Sequence, residues 1–252
     1  MNKKLKSAFL LGTLFLTAAV TACSGSGKKD IPLPQLDAPA SGEQIVVMET
    51  TMGTIKIRFF PDYAPNAVQN FVQHCRDGYY DGVIFHRVIE GFMIQGGSPD
   101  GTGSGGQSIW GKGFGIEVTP SLHNIRGALA MARTQDPNSN GSQFFIVQNN
   151  KLDRDTATAF RTARGDPKKI LGRDVNGNYL AAEGNFPEAI LDFYLNNGGA
   201  PSLDFNYTVF GQVVEGMDVV DAIAATPTSK DEATKDRPLE DVTIISTTVT
   251  TY

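Results

Sequence analysis

One stretch decides the organisation of this chain: Phe85-His86-Arg87-Val88-Ile89-Glu90-Gly91-Phe92-Met93-Ile94-Gln95-Gly96-Gly97. Two short apolar, strand-like runs flank the pair Glu90-Gly91, which is typical of a tight turn between strands. Because side chains alternate between the two faces of a strand, Arg87, Phe92 and Gln95 are expected to share one surface patch. The stretch therefore predicts a hairpin that presents a guanidinium, an apolar ring and an amide together.

This patch suits a particular kind of chemistry. No nucleophile, no pair of acids and no Cys/His cluster lies among its three residues. One cation, one amide and apolar surface can still assist a reaction that needs neither proton transfer nor a covalent intermediate. Rotation about a prolyl peptide bond is such a reaction, because no bond is made or broken in it.

Three blocks of the chain resemble, in the same order, the signature of the cyclophilin-type peptidyl-prolyl cis-trans isomerases. The first is the stretch 85–97, the second is Asn140-Gly141-Ser142-Gln143-Phe144-Phe145-Ile146, and the third is Tyr207-Thr208-Val209-Phe210-Gly211. The resemblance covers roughly 44–151 and 202–245. It implies a mainly β fold, a closed eight-stranded antiparallel barrel capped by two helices, and isomerase activity (EC 5.2.1.8) that uses no cofactor and no metal.

The resemblance also implies a groove for proline-containing polypeptides. Arg87, Gln95 and Phe92 are the expected catalytic residues, with Arg87 stabilising the twisted prolyl amide over an apolar proline pocket. Gln143 is expected to orient Arg87. The expected substrate-binding residues are Met93, Gln143, Phe145, Ala132, Arg133, Leu203 and Tyr207.

Two positions depart from the family's pattern. Ser202 stands where animal members carry a Trp that packs on cyclosporin, and Tyr207 stands where many members carry His. Ser202 argues against tight binding of that drug. Tyr207 and the 50-residue segment 152–201 leave room for an alternative, a weakly catalytic or non-catalytic module that binds proline-containing segments as a chaperone or assembly factor. A third interpretation, a purely structural envelope lipoprotein, requires the groove residues to be accidental. The presence of Arg87 favours the enzyme.

The beginning of the chain is typical of a targeting segment. Three lysines precede an apolar run at 8–20, and Val20-Thr21-Ala22-Cys23 resembles the bacterial lipobox, in which the Cys becomes lipidated. We expect a lipoprotein signal peptide at 1–22 and a lipid anchor, with palmitate among its chains, on Cys23. An ordinary secretory signal that happens to end in Cys is the alternative.

The domain organisation follows from this assignment. A flexible Pro/Gly/Ser linker is expected at 23–43, and the isomerase domain at 44–252. The protein is then expected in the cell envelope, anchored to a bacterial membrane through Cys23 and facing the periplasm. There it would assist the folding of exported proteins.

Composition limits the remaining partners. The chain has 252 residues, of which 40% are hydrophobic and 19% charged, and a net charge of −5, which argues against a nucleic-acid partner. A monomer is expected. With Cys23 lipidated, Cys75 is the one remaining thiol, and its place in a predicted helix at 65–76 indicates a small buried side chain.

The segment 152–201 lies outside the resemblance, and we expect it to be a helical insertion of roughly 50 residues. Helical patterns cover 153–164 and 187–196, and Asn176-Gly177 favours a hairpin turn between them. The surrounding Asp and Asn residues weakly resemble a calcium loop, but that site's bidentate Glu is missing. The insertion is expected to be an ordered unit beside the groove.

Overall fold

The computed structural model describes residues 31–252, and the predictions made for residues 1–30, including Cys23, lie outside them. Within the described range, no helix is both long and apolar enough to cross a membrane. The strands are Gln44–Thr50 (β1), Gly53–Phe59 (β2), Arg87–Ile89 (β3), Met93–Gly96 (β4), Ala128–Met131 (β5), Phe144–Val147 (β6), Ile170–Arg173 (β7), Tyr179–Ala181 (β8), Val209–Glu215 (β9) and Ile244–Thr251 (β10). The helices are Pro65–Arg76 (α1), Arg154–Gly165 (α2), Ala182–Asn185 (α3), Glu188–Asn197 (α4) and Met217–Ala224 (α5).

Eight of the strands form one antiparallel sheet in the order β10-β1-β2-β9-β5-β6-β4-β3. The mainly β fold is thus confirmed, but the prediction of a closed barrel is wrong. The two ends of the sheet meet in a single bridge between Ile84 and Thr243, and no ladder joins β3 to β10. The reason is that the free edge of β3 is already occupied, because the Val88 N–H donates to the Asp236 carbonyl at 2.8 Å. The sheet is a half-barrel.

Strand alternation divides the apolar residues between two faces of this sheet. The inner face packs against α1 in the main core, and its central members are Val88, Ile94, Leu129, Met131, Phe144 and Ile146. The opposite face carries a second cluster, which includes Met93, Ala128, Ala130, Phe145, Val147 and Val209. The second cluster matters for function, because partly exposed side chains join it at the surface.

The two predicted capping helices are present. Pro65 stands in the first turn of α1, where its missing N–H costs nothing. Phe71 of α1 is fully buried, and Asn70 bonds the Gly141 carbonyl at 2.8 Å. Burial raises the pKa of Cys75 to about 12, so this thiol is a buried apolar group at neutral pH. α5 begins after Gly216, whose φ of +90° requires glycine.

The segment 152–201 folds around a third apolar cluster of its own. It contains α2, the β7–β8 hairpin, α3 and α4, so it is less purely helical than expected. Its central aromatic residues are Phe160, Phe186 and Tyr194, which meet edge to face. The two predicted helices and the turn at Asn176-Gly177 appear within one residue of their expected positions. Asp153 caps α2 through the backbone N–H groups of Asp155 and Thr156.

The ordered structure begins earlier than the boundary expected at residue 44. Residues 31–43, assigned to the flexible linker, include a short 3₁₀ turn at Pro34–Leu36. Gln35 is buried and exchanges two hydrogen bonds with the backbone of His123, at 2.6 and 2.9 Å. Arg58 binds both carboxylate oxygens of Glu43 at 2.7 and 2.8 Å. These contacts fix the segment to the sheet, which its Pro-rich composition alone does not indicate.

Candidate active site

The register of four strands places two of the predicted catalytic residues, Arg87 and Gln95, in one row with Phe145, whereas Phe92 lies outside the row, just before β4. Arg87 of β3 pairs with Gln95 of β4, Gln95 pairs with Phe145 of β6, and Phe145 pairs with Ala130 of β5. Paired residues in an antiparallel ladder point to the same face. The guanidinium, the amide and the phenyl ring therefore stand side by side on the outer face of the half-barrel.

Beside this row lies an apolar pocket. Phe145 and Met93 are 5% and 2% exposed and are its buried part, whereas the side chains around them are only half-buried. The ring of Tyr207 meets Phe145 edge-on, with centroids 5.6 Å apart. The half-buried side chains packed on this cluster include Phe92, Ala132, Leu203 and Tyr207. The structure thus brings all the predicted proline-pocket residues together.

The amide of Gln143 has a different partner from the one expected. Its Oε1 accepts a hydrogen bond from Gln95 Nε2 at 3.0 Å, and its own Nε2 donates to the carbonyls of Gly103 and Gly105 at 3.0 and 2.8 Å. Gln143 therefore orients Gln95, and the expectation that it orients Arg87 is wrong. The cause is strand geometry, since Gln95 stands in the row between the strands that carry Gln143 and Arg87.

The partner of Arg87 is a residue that sequence reasoning missed. Asp236 Oδ2 lies 3.6 Å from Arg87 Nε, and the Arg87 side chain remains 42% exposed. Asp236 adopts a φ of +64°, a conformation that Asp tolerates better than most residues. Its carbonyl also holds Val88 of β3. In the sequence, Asp-Arg-Pro at 236–238 favours a turn, but this pattern does not indicate that Asp236 contacts Arg87.

Arg133 is held in place rather than solvated. Its Nε and Nη2 donate to the Asn206 carbonyl at 2.9 and 2.6 Å, and its Nη1 donates to the Thr134 carbonyl at 2.6 Å. The guanidinium carbon lies 4.8 Å from the centre of the Tyr207 ring. Arg133 therefore fixes the position of Tyr207 against Phe145 through its bonds to backbone carbonyls and a cation–π contact.

Next to the pocket, a cavity of about 470 Å³ extends between Gln95, Ala132 and the Gly-rich loop 103–106. At Gly106, with φ of +96°, a Cβ would collide with the hydroxyl of Ser142. The loop can approach β6 so closely only because this residue is glycine. The cavity shares Gln95 with the row and Ala132 with the pocket, so the three lie side by side; together they are called the groove below.

Sequence comparison identifies the family of the chain that forms this site. The model of the family described as cyclophilin type peptidyl-prolyl cis-trans isomerase/CLD matches residues 45–163 and 180–249. The chain belongs to this family. A Staphylococcus saprophyticus protein assigned as a peptidyl-prolyl cis-trans isomerase is 42% identical over 214 residues, which are 84% of this chain and 95% of that protein. The chain is accordingly a peptidyl-prolyl cis-trans isomerase, EC 5.2.1.8, and the non-catalytic alternative is not favoured.

Two further relatives of this isomerase are similar to most of the chain. A Streptococcus pyogenes protein assigned as a bifunctional phosphatase/peptidyl-prolyl cis-trans isomerase is 44% identical over 218 residues, 86% of this chain but 41% of its own length. A cyclophilin-type isomerase from Cryptosporidium parvum, crystallised in the presence of the dipeptide Ala-Pro, superposes with a TM-score of 0.59 at 28% identity. The match covers 82% of this chain and 99% of the Cryptosporidium chain.

The comparisons do not confirm a 50-residue insertion at 152–201. Between the two parts that the family model matches, only residues 164–179 are left out. The staphylococcal match is also too long to fit into this chain without spanning 152–201. Apart from 164–179, the segment lies within the parts that the family model matches, although the three sequence blocks that carry the resemblance do not reach into it.

A buried polar network connects this segment to the isomerase groove. Asp204, next to Leu203 of the pocket, accepts hydrogen bonds from Asn124 N–H at 2.6 Å and from the Tyr194 hydroxyl at 2.7 Å. His123 Nδ1 lies 2.8 Å from the same carboxylate, and neither side chain is exposed. Burial raises the pKa of Tyr194 well above its usual value, which keeps the hydroxyl a donor.

His86 lies behind the groove of the isomerase and takes no part in it. Its ring packs beneath Gly103, and a Cβ at Gly103 would lie 3.0 Å from the His86 ring. Burial, with smaller contributions from Arg237 and Arg87, lowers the pKa of His86 to about 4. The ring is therefore neutral at pH 7. Among residues 31–252, no group of His, Cys, Asp and Glu side chains is arranged to hold a metal ion.

Proposed function

We propose that Arg87 supplies the transition-state contact of this isomerase and that its clients are exported polypeptides. The observation that carries the first part is the row of Arg87, Gln95 and Phe145 beside the apolar pocket. In this arrangement the pyrrolidine ring occupies the pocket on Phe145. Gln95, held by Gln143, binds the residue that precedes the proline.

The reaction needs a donor at one particular atom. Rotation of the peptide bond has a barrier of ~18–20 kcal/mol, because the nitrogen lone pair is delocalised into the carbonyl. When the bond twists, the lone pair returns to the nitrogen, which becomes pyramidal and basic. A hydrogen bond donated to that nitrogen is stronger in the twisted state than in the planar one, and only such a difference lowers the barrier.

Arg87 meets this requirement. The carboxylate of Asp236 lies at its Nε and orients the guanidinium plane. Among the described residues, none accepts a hydrogen bond from the terminal nitrogens of Arg87, so these donors are available to a substrate. Arginine also stays charged at any physiological pH, and its planar fork loses little entropy when it binds.

The decisive experiment measures the isomerisation of a short X-Pro peptide by the purified full chain and by Arg87→Ala. Removing one preorganised donor is expected to lower kcat by about 10²–10³-fold, with a small change in KM. Arg87→Lys keeps the charge but not the fork, so an intermediate rate is expected. An Arg87→Ala chain that folds normally and keeps more than about a third of the rate would disprove the role of Arg87.

The location of the protein is proposed from its first residues. The lipobox-like Val20-Thr21-Ala22-Cys23 supports a lipid anchor on Cys23 in the cell envelope, where exported chains fold. Slow prolyl isomerisation limits such folding, because the uncatalysed reaction takes tens to hundreds of seconds. Radiolabelled fatty acid should enter the wild-type protein in growing cells but not Cys23→Ser. Equal labelling of both proteins would exclude this anchor.

A further inference from the structure

A second concavity opens behind the turn that carries Phe92 of the proline pocket. It has a volume of about 880 Å³ and lies between Gly91, the stretch 149–154 and the helices α2 and α4. The Phe92 carbonyl accepts hydrogen bonds from the N–H groups of Gln148 and Asn149, at 2.8 and 3.2 Å. The same short stretch of backbone therefore borders the proline pocket on one side and this concavity on the other.

The concavity is lined by three cations: Lys151, Arg154 and Arg161. Arg154 and Arg161 are seven residues apart on α2, so they share one helix face with the buried Ala157 between them. All three side chains are exposed, and among residues 31–252 none of them has a hydrogen-bond or ion-pair partner. This basic cluster stands out in a chain whose net charge is −5.

A neighbouring arginine on the same helix shows the opposite behaviour. Arg164 forms ion pairs with Glu188 and Asp192 of α4, at 3.1 and 2.9 Å. α2 thus uses Arg164 to hold the segment together and leaves Arg154 and Arg161 without such partners. Cations that serve only the fold of this segment would be expected to pair as Arg164 does.

The acidic residues nearby do not neutralise the concavity. Asp153 lines it, but one carboxylate oxygen caps α2 through the N–H groups of Asp155 and Thr156, and the other accepts from the Thr156 hydroxyl at 2.5 Å. Hydrogen bonding to Thr156 lowers the pKa of Asp153, so it stays ionised. Glu90, beside Gly91, does not line the concavity. Three positive side chains and one negative side chain line the concavity, so its net charge is positive.

We propose that this basic concavity binds an acidic stretch of the client polypeptide near the proline that is isomerised. The inference rests on the proposed function, since the client is the chain in the groove. A segment that leaves the proline pocket past Phe92 reaches the concavity within a few residues, because an extended chain advances ~3.3 Å per residue. Unpaired Lys and Arg side chains then bind Glu and Asp side chains, and the enzyme prefers acidic clients.

A membrane surface is the competing occupant, because anionic headgroups have the same charge as an acidic peptide. Two observations favour the polypeptide. The site is concave, whereas a bilayer is flat, and it adjoins the pocket where a peptide already has to run. A peptide bound at two adjacent sites also binds more tightly than at either site alone, because the second contact is intramolecular.

The test compares proline peptides that differ only in the flanking residues. One peptide has neutral flanks, and two carry four glutamates either before or after the X-Pro unit. The full chain is measured beside Arg154→Glu/Arg161→Glu, with Lys168→Glu/Lys169→Glu as the matched control. The control makes the same change of charge on the same segment, at lysines that do not line the concavity.

The wild-type chain is expected to turn over one of the glutamate peptides with about tenfold higher kcat/KM than the neutral one, mostly through KM, at low salt. The preference should vanish in Arg154→Glu/Arg161→Glu and persist in the control. It should also shrink as the Debye length falls to about 8 Å at physiological salt. A preference that survives in Arg154→Glu/Arg161→Glu, or is absent from the wild type, overturns the inference.

Turnover of the neutral peptide distinguishes the proposed function from the acidic-peptide inference. If neither the wild type nor the variants isomerise it, the proposed function is wrong. Binding of a labelled glutamate peptide, measured by fluorescence anisotropy, then decides the inference. The lipid alternative is tested by the difference between anionic phosphatidylglycerol vesicles and neutral phosphatidylcholine vesicles. If Arg154→Glu/Arg161→Glu removes that difference and leaves peptide preference unchanged, the concavity faces a membrane and the inference is wrong.

Discussion

The groove has two walls that are positioned by different means. The first wall, formed by Arg87, Gln95 and Phe145, stands on neighbouring strands, and its spacing is set by the register of backbone hydrogen bonds. The second wall, formed by Leu203 and Tyr207, stands on a 3₁₀ turn at Pro201–Leu203 and the loop that leads from it to β9. Side-chain contacts hold it: Asp204 binds Tyr194 on one side, and Arg133 holds Asn206 on the other.

The first wall thus carries the groups proposed for catalysis, whereas the second wall determines how well a substrate fits. A ladder is rigid, because a shift of register would move every side chain to the other face, so it suits groups that need fixed distances. A wall held by side-chain contacts can differ from one relative to another without disturbing the sheet. The two positions expected to depart from the family's pattern, Ser202 and Tyr207, also lie in this stretch.

The largest expected effect comes from the same truncation made in each of the two cores. Phe144→Ala in the main core and Phe160→Ala in the segment should each cost about 3–5 kcal/mol of local stability, because both rings are buried. Phe144→Ala should lower the free energy of global unfolding. Phe160→Ala should instead raise amide hydrogen exchange within 152–201 and leave β4–β6 protected.

Hydrogen exchange measured by mass spectrometry distinguishes these outcomes. If Phe160→Ala raises exchange equally in β4–β6, the two walls form one cooperative unit and are not positioned independently. Retained turnover of a neutral peptide by Phe160→Ala would show that the first wall keeps its geometry without the second core.

A smaller effect is expected from Tyr194→Phe, which removes only the hydroxyl that bonds Asp204. A hydrogen bond to a charged group contributes about 1.5–3 kcal/mol, and the carboxylate left behind is buried. Because Asp204 adjoins Leu203, KM should rise and kcat should change little. Phe193→Leu on the same helix is a suitable control, since Phe193 is only half-buried. An unchanged KM with unchanged stability would show that the network does not support the second wall.

The smallest effect concerns pH and the region behind the first wall. In the unfolded chain His86 takes up its proton near pH 6.5, but in the folded protein only near pH 4. Protonation between these values therefore favours unfolding, and stability is lost as the pH falls from 6.5 towards 4. At pH 5 the loss should be about 1–2 kcal/mol, allowing for partial solvation of the ring.

Urea unfolding of the wild type and of His86→Phe at pH 7 and pH 5 measures this contribution. The variant keeps a ring beneath Gly103 but cannot take up a proton, so its stability should fall less between the two pH values. His74, whose pKa burial also lowers, leaves a residual slope in both proteins. Equal slopes for the two proteins would show that His86 does not carry the pH dependence.

The sequence by itself determined the hairpin at 83–95, helix α1 and the set of groove residues. These features depend on local patterns: alternation fixes which strand side chains share a face, Pro65 marks a helix start, and the three blocks have family-specific spacing. It also predicted α2, α4 and the turn at Asn176-Gly177, because capping and turn residues act over a few positions.

Only the tertiary structure decided how distant parts meet. Asp236 reaches Arg87 across a sequence separation of 149 residues, and this loop occupies the edge of β3 that a closed barrel would need. Likewise, Gln143 bonds Gln95 and Gln35 bonds the backbone of His123. Within residues 31–252, Arg164 has ion-pair partners, whereas Arg154 and Arg161 have none. Local sequence cannot specify such contacts, because each is the outcome of packing that many separate segments settle together.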